Sequence, residues 1–250
     1  MLNYLVLFVA SLIANTMSAF AGGGSGLVQL PVIILLGLPF AEALATHKMA
    51  NFMLGLGSIS RNIKNKDIDW RFALFMGLTG VSGTIIGARL ILQVPDNIAQ
   101  ITLGIVTIAL GLYSFFKKNM GANQNPRNRG IKGHIIGGTG FFLLGVFSGS
   151  LTSGSGLFVT TWLIMWYGMD YKMAVFYTMA LVGFLWNLTG GIALLTMGGD
   201  VNWSWIPVLW IATFFGGWLG AHLGHLKGNK WIKRAFVFVA IASGLSLLLK

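Results

Sequence analysis

Long apolar stretches separated by short polar turns follow one another along almost the whole chain. The longest are 2–20, 41–60, 72–92, 98–116, 172–196, 203–224 and 235–249. A helix rises about 1.5 Å per residue, so stretches of this kind are long enough to cross a hydrocarbon core of roughly 30 Å. Alternating strands of about ten residues, as in a membrane β-barrel, do not occur. The pattern predicts an all-α polytopic membrane protein in which hydropathy counts about 8 segments.

Composition agrees with this pattern. The chain is 55% hydrophobic and 9% charged, whereas soluble domains carry about a quarter charged residues. The net charge of +11 does not indicate nucleic-acid binding, because the basic residues lie mostly in short loops between spans. With no cysteine, four scattered histidines and acidic residues only in loops or near the ends of spans, we expect neither an enzyme nor a bound metal or cofactor.

Two glycine-rich segments interrupt the apolar pattern. The first is formed by Gly22, Gly23, Gly24, Ser25 and Gly26, and the second includes Ser153, Gly154, Ser155 and Gly156. Glycine runs do not sustain a helix. The apolar pieces that follow, 27–38 and 157–167, span only about 18 Å as helices, which is roughly half a bilayer. Each segment therefore predicts a re-entrant hairpin of broken helices with its glycine-rich tip inside the membrane.

The two halves of the chain resemble each other at a spacing that drifts only from 130 to 133 residues. Matching pairs are Gly26 and Gly156, Trp70 and Trp203, Gly83 and Gly216, Gly87 and Gly220, Arg89 and His222, and Gly111 and Gly244. The match predicts an internal duplication, which is common in secondary transporters. It divides the chain into a first transmembrane repeat (1–116), a basic cytoplasmic linker (117–132) and a second repeat (133–250).

The loop charges predict opposite orientations for the two halves. All Lys and Arg residues except Lys48, Arg89 and Lys250 lie in 61–71, 117–132, 168–172 and 225–234. The positive-inside rule places these segments in the cytoplasm. Equivalent loops then fall on opposite sides, so we expect two inverted repeats, each a hairpin plus three spans. Both termini would be extracytoplasmic, in a bacterial-type inner membrane.

Each tip is a candidate substrate site. The half-helices 27–38 and 157–167 begin at the tips, so their free N–H groups and positive dipole ends point inward, where an anion could bind. Ser25, Ser153 and Ser155 could add hydroxyl donors. The alternative is that the small residues only allow close helix packing.

Lys48 is the most unusual ionisable residue, because it lies near the middle of 41–60 with no acidic residue in the interior of any span. It could bind an anion, or its side chain could extend to the membrane surface. We include its neighbours Thr46, His47 and Asn51 in the candidate site, together with Thr178 from the second half. Arg89, Asn187 and His222 are further candidates, for which helix-end or interhelical contacts are equally consistent.

Over nearly its whole length, the chain resembles the sulfite exporter TauE/SafE family of anion permeases, also called TSUP. The residues that carry the resemblance are the glycine cluster 22–26, Pro31, Gly37-Leu38-Pro39, Ala43 and Thr46-His47-Lys48. The second half departs from the pattern, because Tyr177-Thr178-Met179 lacks the lysine. The resemblance implies transport of sulfite, thiosulfate or organosulfonates.

The sequence thus predicts a permease for a small sulfur-containing anion that works by alternating access. An anion channel with the tips as a selectivity constriction is the alternative, and an intramembrane enzyme is disfavoured. The expected partners are the anion and the lipid bilayer, with no nucleic acid. The sequence leaves the exact substrate, the direction of transport, the coupling ion and the oligomeric state open.

Overall fold

Helices and no strands occur among the residues that the computed structural model describes, which are 2–62, 68–90, 96–116, 120–151 and 154–248. The first half comprises α1 (Leu2–Ala21), α2 (Gly26–Leu35), α3 (Phe40–Asn62), α4 (Trp70–Leu90) and α5 (Asp96–Phe116). The second half comprises α6 (Ile131–Leu151), α7 (Ser155–Tyr167), α8 (Tyr171–Thr178), a π-helical segment (Met179–Trp186), α9 (Asn187–Thr196), α10 (Ile206–Lys227) and α11 (Asn229–Leu248). The expected all-α polytopic fold is confirmed.

Within these described residues, five helical stretches are long and apolar enough to cross a membrane. They are Leu2–Ala21, Trp70–Leu90, Ile131–Ser150, Tyr171–Thr196 and Ile206–Lys227. Helix α3 is not one of them, because it carries more polar residues, and 14 of its residues are buried by the helices around it. It packs against α10, α9 and the π-helical segment, so this polar helix lies in the interior of the bundle.

Both glycine segments break a helix, as the sequence predicts, but the two arms of each hairpin differ in length. The arms before the breaks, α1 and α6, have 20 and 21 residues, enough for roughly 30 Å. The arms after them, α2 and α7, have only 10 and 13 residues. The expected half-length helix is therefore found only after each break, because nothing interrupts the apolar run before it.

The span 172–196 contains a feature that the sequence does not predict. Its central eight residues, Met179–Trp186, form a π-helix, a wider and rarer winding that is frequent at functional sites. This segment crosses α3 closely, since a Cβ atom on Gly55 would lie 2.2 Å from the backbone nitrogen of Phe184. Two glycines, Gly55 and Gly183, meet at this crossing.

Two interfaces between the halves are built in the same way. Helix α4 packs along α6, where a Cβ atom on Gly83 would lie 2.1 Å from the carbonyl oxygen of Phe142. Helix α10 packs along α1, where a Cβ atom on Gly216 would lie 3.0 Å from the carbonyl oxygen of Leu12. One turn further, Gly87 contacts Val146 and Gly220 contacts Thr16. The contacts thus repeat at the residue spacing that relates the two halves of the sequence.

Candidate functional site

The first tip depends on three consecutive glycines with positive φ. Gly22, Gly23 and Gly24 have φ values of 93°, 146° and 102°, which residues with a side chain rarely adopt. The N–H groups of Gly22 and Gly23 both donate to the carbonyl oxygen of Ser18, at 2.8 and 2.9 Å, and so end α1. The chain can then reverse and begin α2 at Gly26.

Among the described residues of the second tip, Gly154 has the left-handed conformation. Gly154 has a φ of 80° and precedes α7, where the Leu157 N–H donates to the Gly154 carbonyl at 2.9 Å. Ser155 and Gly156 follow it and are buried. Ser153, a predicted site residue, lies outside the described residues.

The two tips are in direct backbone contact. A Cβ atom on Gly23 would lie 2.5 Å from the backbone nitrogen of Leu157, and one on Gly156 would lie 2.9 Å from the Cα of Gly23. The structure therefore brings the N-terminal ends of α2 and α7 together, although the two segments are 130 residues apart in the sequence. The positive ends of two helix dipoles converge at this point.

Two threonine hydroxyls connect the tips. Thr160 on α7 donates to the carbonyl oxygen of Gly22 at 2.9 Å, and its oxygen lies 2.8 Å from that of Thr178. Because Thr160 has one hydroxyl proton, the Thr178 hydroxyl is the donor in the second bond. The structure thus places the predicted Thr178 at the tips and adds Thr160. The sequence feature that could have pointed to Thr160 is a pair of hydroxyl residues, Thr160 and Thr161, in an otherwise apolar half-helix.

Lys48 is fully buried, with 0% of its surface exposed, so its side chain does not extend to the membrane surface. Its Nζ donates to the carbonyl oxygen of Ser148 at 2.9 Å, in the last turn of α6. Lysine near a helix C-terminus commonly binds a terminal carbonyl in this way. This partner was not foreseen from the sequence. It is neutral, so it satisfies a donor of the ammonium group without neutralising its charge.

Asn51, the central residue of α3, links this helix, which also carries Lys48, to the first tip. Its Nδ2 donates to the Ser25 hydroxyl at 2.8 Å and lies 3.1 Å from Nε2 of His47. With the amide in this orientation, His47 Nε2 accepts and the ring proton is on Nδ1. Within the described part of the chain, His47 Nδ1 and Asn51 Oδ1 are buried without a hydrogen-bond partner. A buried N–H group without a partner is unusual and is typical of a binding site.

Two other predicted residues are buried but make structural contacts. The Thr46 hydroxyl accepts from the Asn202 N–H at 2.9 Å and attaches the segment before α10 to α3. The Asn187 amide donates to the Gly183 carbonyl in its own helix at 3.3 Å. Neither contact involves a tip.

Arg89 and His222 are not brought to the tips. Arg89 is exposed in the last turn of α4. His222 accepts a hydrogen bond from Arg61 Nε at 3.1 Å and stacks on Trp218. Arg61 is 13 residues from Lys48 on α3, which corresponds to about 20 Å along the helix. His222 therefore belongs to a contact between helix ends.

A buried polar cluster between α1 and α2 was missed by sequence reasoning. The Asn15 amide donates to the Ser11 carbonyl at 2.7 Å and lies 3.4 Å from Oε1 of Gln29, and Gln29 donates to the Ser11 hydroxyl at 3.1 Å. These side chains hold the two arms of the first hairpin together. The signal was present, because Asn15 and Gln29 are amides within apolar runs.

Comparison with known proteins identifies a family and several relatives. The family model described as "Sulfite exporter TauE/SafE" matches residues 7–247. The "Probable membrane transporter protein ORF9" of a Sinorhizobium species is 29% identical, covering 97% of this chain and 91% of that protein. The "Probable membrane transporter protein YfcA" of Escherichia coli K12 is 27% identical, with 97% and 88% covered. The "Probable membrane transporter protein YunE" of Bacillus subtilis is 26% identical, with 99% and 98% covered.

No solved structure matches the chain. The family and the relatives are named for membrane transport and not for catalysis. The family model spans nearly the whole chain, including both tips and the helix that carries Lys48. This multi-pass membrane protein belongs to the sulfite exporter TauE/SafE family.

Proposed function

We propose that the protein is a secondary transporter for a small sulfur-containing oxyanion, such as sulfite, thiosulfate or an organosulfonate. The observation that carries the proposal is the direct contact of two glycine-rich helix breaks beside a polar cluster on α3. The family name supports a sulfur oxyanion as the substrate class.

The groups around the tips are suited to an oxyanion. The N-termini of α2 and α7 provide N–H groups and positive dipole ends. The Ser25 hydroxyl accepts from Asn51, which leaves its proton free for donation to a ligand. His47 Nδ1 provides a buried donor without a partner among the described residues. These donors would replace the water shell of the anion.

Lys48 would supply the positive charge. Its Nζ is held at the Ser148 carbonyl, at the end of the helix that leads into the second tip. An ammonium group has three protons, so it can keep this bond and also pair with an anion. Lys48 would then connect the bound anion to the second half of the molecule.

Tight contact between the tips favours a carrier over a channel. There is no space for a Cβ atom between Gly23 and Leu157, so the backbones touch where an open channel would need a pore. Passage of an anion then requires the two halves to move relative to each other, as in alternating access. Saturable counterflow would support the carrier, and unsaturated voltage-driven current would support the channel.

The proposed orientation places both termini outside and the basic loops in the cytoplasm of a bacterial-type inner membrane. The support is the distribution of Lys and Arg along the sequence. The chain has no cysteine, so single-cysteine variants give a clean label. Ser204 and Lys230 are both exposed, so each position can react with a reagent on its own side of the membrane. We expect an impermeant reagent applied from outside to label Ser204→Cys and not Lys230→Cys. External labelling of Lys230→Cys would overturn the orientation.

The function is tested by reconstitution into liposomes. We expect saturable uptake of radiolabelled sulfite, thiosulfate or a short organosulfonate, inhibited by the unlabelled anion. Lys48→Met should abolish this uptake, whereas Lys132→Met, at an exposed lysine, should not. Uptake of none of these anions, or uptake that survives Lys48→Met, would contradict the proposal.

A further inference from the structure

A groove of about 700 Å³ runs along the outer surface where α5 and α11 pack together. Its apolar wall is formed by Phe115, Val237, Phe238, Ile241, Ala242 and Leu245. The helices touch at its floor, where a Cβ atom on Gly111 would lie 2.9 Å from the side chain of Ile241. The groove is therefore a long apolar slot on a surface that faces lipid in a membrane protein.

One end of this groove is strongly basic. Lys230, Lys233 and Arg234, from the first turns of α11, line it together with the apolar residues. Trp231 lies beside them, with the Arg234 guanidinium 4.8 Å and the Lys227 ammonium 5.9 Å from its ring centroid. Tryptophan beside lysine and arginine is typical of the membrane–water interface. The basic end thus lies at the level of lipid head groups.

The equivalent part of the first half lacks this basic cluster. The positions of α5 equivalent to the three cations are Asn97, Gln100 and Ile101, so the repeat by itself does not require a basic cluster here. A second surface groove of about 720 Å³, between α4 and α6, includes one arginine in its lining, Arg129. That guanidinium lies 4.1 Å from the centroid of the Phe72 ring. Of these two grooves, the α5–α11 groove is the better match for an anionic ligand with an apolar tail.

We propose that the α5–α11 groove binds an anionic phospholipid. The phosphate pairs with Lys230 and Arg234, and an acyl chain lies in the slot against Phe238, Ala242 and Leu245. Basic pockets between membrane helices on the cytoplasmic side are known to bind anionic head groups. This site is remote in sequence from the tips, and it does not depend on the proposed transport function.

Native mass spectrometry of the purified protein tests the charge requirement. We expect retained phosphatidylglycerol adducts at concentrations where phosphatidylcholine gives few. The double variant Lys230→Gln/Arg234→Gln should lose most of these adducts. The matched control Arg71→Gln/Lys132→Gln removes one arginine and one lysine at exposed positions outside the groove and should keep them. Equal losses in the two variants would mean unspecific attraction and would overturn the proposal.

A second variant tests the apolar slot. Ala242→Trp fills the groove and leaves the basic residues in place, so it should reduce phosphatidylglycerol binding several-fold. Glycerol phosphate, which has no acyl chain, should not displace the lipid from the parent protein. Unchanged lipid binding in Ala242→Trp, or displacement by glycerol phosphate, would show that the groove does not hold a lipid chain. Loss of a dimer in Ala242→Trp would assign the groove to a second copy of the chain and overturn the proposal.

Discussion

The two glycine tips have similar backbones and different side-chain surroundings. Each ends a long helix, begins a short one and touches the other tip through Gly23 and Gly156. The first bonds Asn51 of α3 through the Ser25 hydroxyl, and His47 and Lys48 are buried on the same helix. At the equivalent place, the second tip contacts the Thr178 hydroxyl through Thr160.

This difference separates two requirements of an anion site. Close approach of a ligand to backbone N–H groups depends on small residues and is met by both halves. In the proposed site the positive charge would come from the first half, through Lys48, which bonds a carbonyl of the second half. The matching backbones of the two halves would then form the shape of the site, and the sequence difference between them would provide its charge.

The largest effect is expected where the tips touch. Gly23→Ala should abolish transport and lower the free energy of unfolding, because its Cβ would meet the Leu157 nitrogen. Gly37→Ala is the matched control, since Gly37 also has a positive φ but a Cβ atom there would meet no other atom within 4 Å. We expect the free energy of unfolding to fall by about 1–3 kcal/mol more in Gly23→Ala than in Gly37→Ala. Thermal unfolding in detergent and uptake by liposomes measure this.

Equal losses in these two variants would mean that backbone strain alone is responsible, and that the contact between the tips is not critical.

The charge difference between the tips is tested by Lys48→Met. Removing an ion-pairing charge costs on the order of 2–5 kcal/mol, so anion affinity should fall by one to a few orders of magnitude, at about 1.4 kcal/mol per tenfold. The hydrogen bond from Nζ to the Ser148 carbonyl is also lost, but methionine removes the cost of burying an ammonium group, so the free energy of unfolding without ligand should change little. Dissociation constants and thermal unfolding in detergent measure the two effects.

Thr46→Val is the control, because Thr46 is buried two residues away and bonds Asn202. It should lower stability and leave affinity unchanged. Parent-like affinity in Lys48→Met would mean that the lysine only caps α6.

A smaller effect is expected at His47, whose equivalent in the second half is Tyr177. His47→Phe removes a buried N–H donor, and hydrogen bonds to charged groups contribute about 1.5–3 kcal/mol, so affinity should fall at least about tenfold. Tyr177→Phe removes a hydroxyl that accepts from the Asp69 N–H at 2.8 Å. It should reduce stability without a change in affinity. Anion titrations of both variants measure this. If Tyr177→Phe weakened binding as much as His47→Phe, the assignment of His47 as a donor to the anion would be wrong.

The smallest effect is expected in the threonine pair that joins the tips. Thr160→Val removes the donor to the Gly22 carbonyl and should lower the free energy of unfolding by about 1 kcal/mol. Thr178→Val keeps that bond and should cost less. Thermal unfolding shows which of the two variants is less stable. A larger decrease in the free energy of unfolding for Thr178→Val would contradict the direction of these hydrogen bonds.

The all-α fold, the breaks and the family resemblance could be predicted because they depend on local properties. An apolar run of about 20 residues suits a bilayer whatever its neighbours are, and three glycines in a row end a helix wherever they occur. The match between halves was also visible as a nearly constant spacing. The inverted orientation and the domain limits stay predictions.

The partners of the buried polar groups were decided by tertiary structure. The Lys48 ammonium donates to a carbonyl 100 residues away. His222 accepts a hydrogen bond from Arg61, at an end of α3 that is far from Lys48. The π-helical winding at Gly183 likewise accompanies its crossing with Gly55. A sequence shows which side chains need a partner in a membrane, because that need follows from their chemistry. Which partner each one finds depends on how distant helices pack, and only the folded chain determines that.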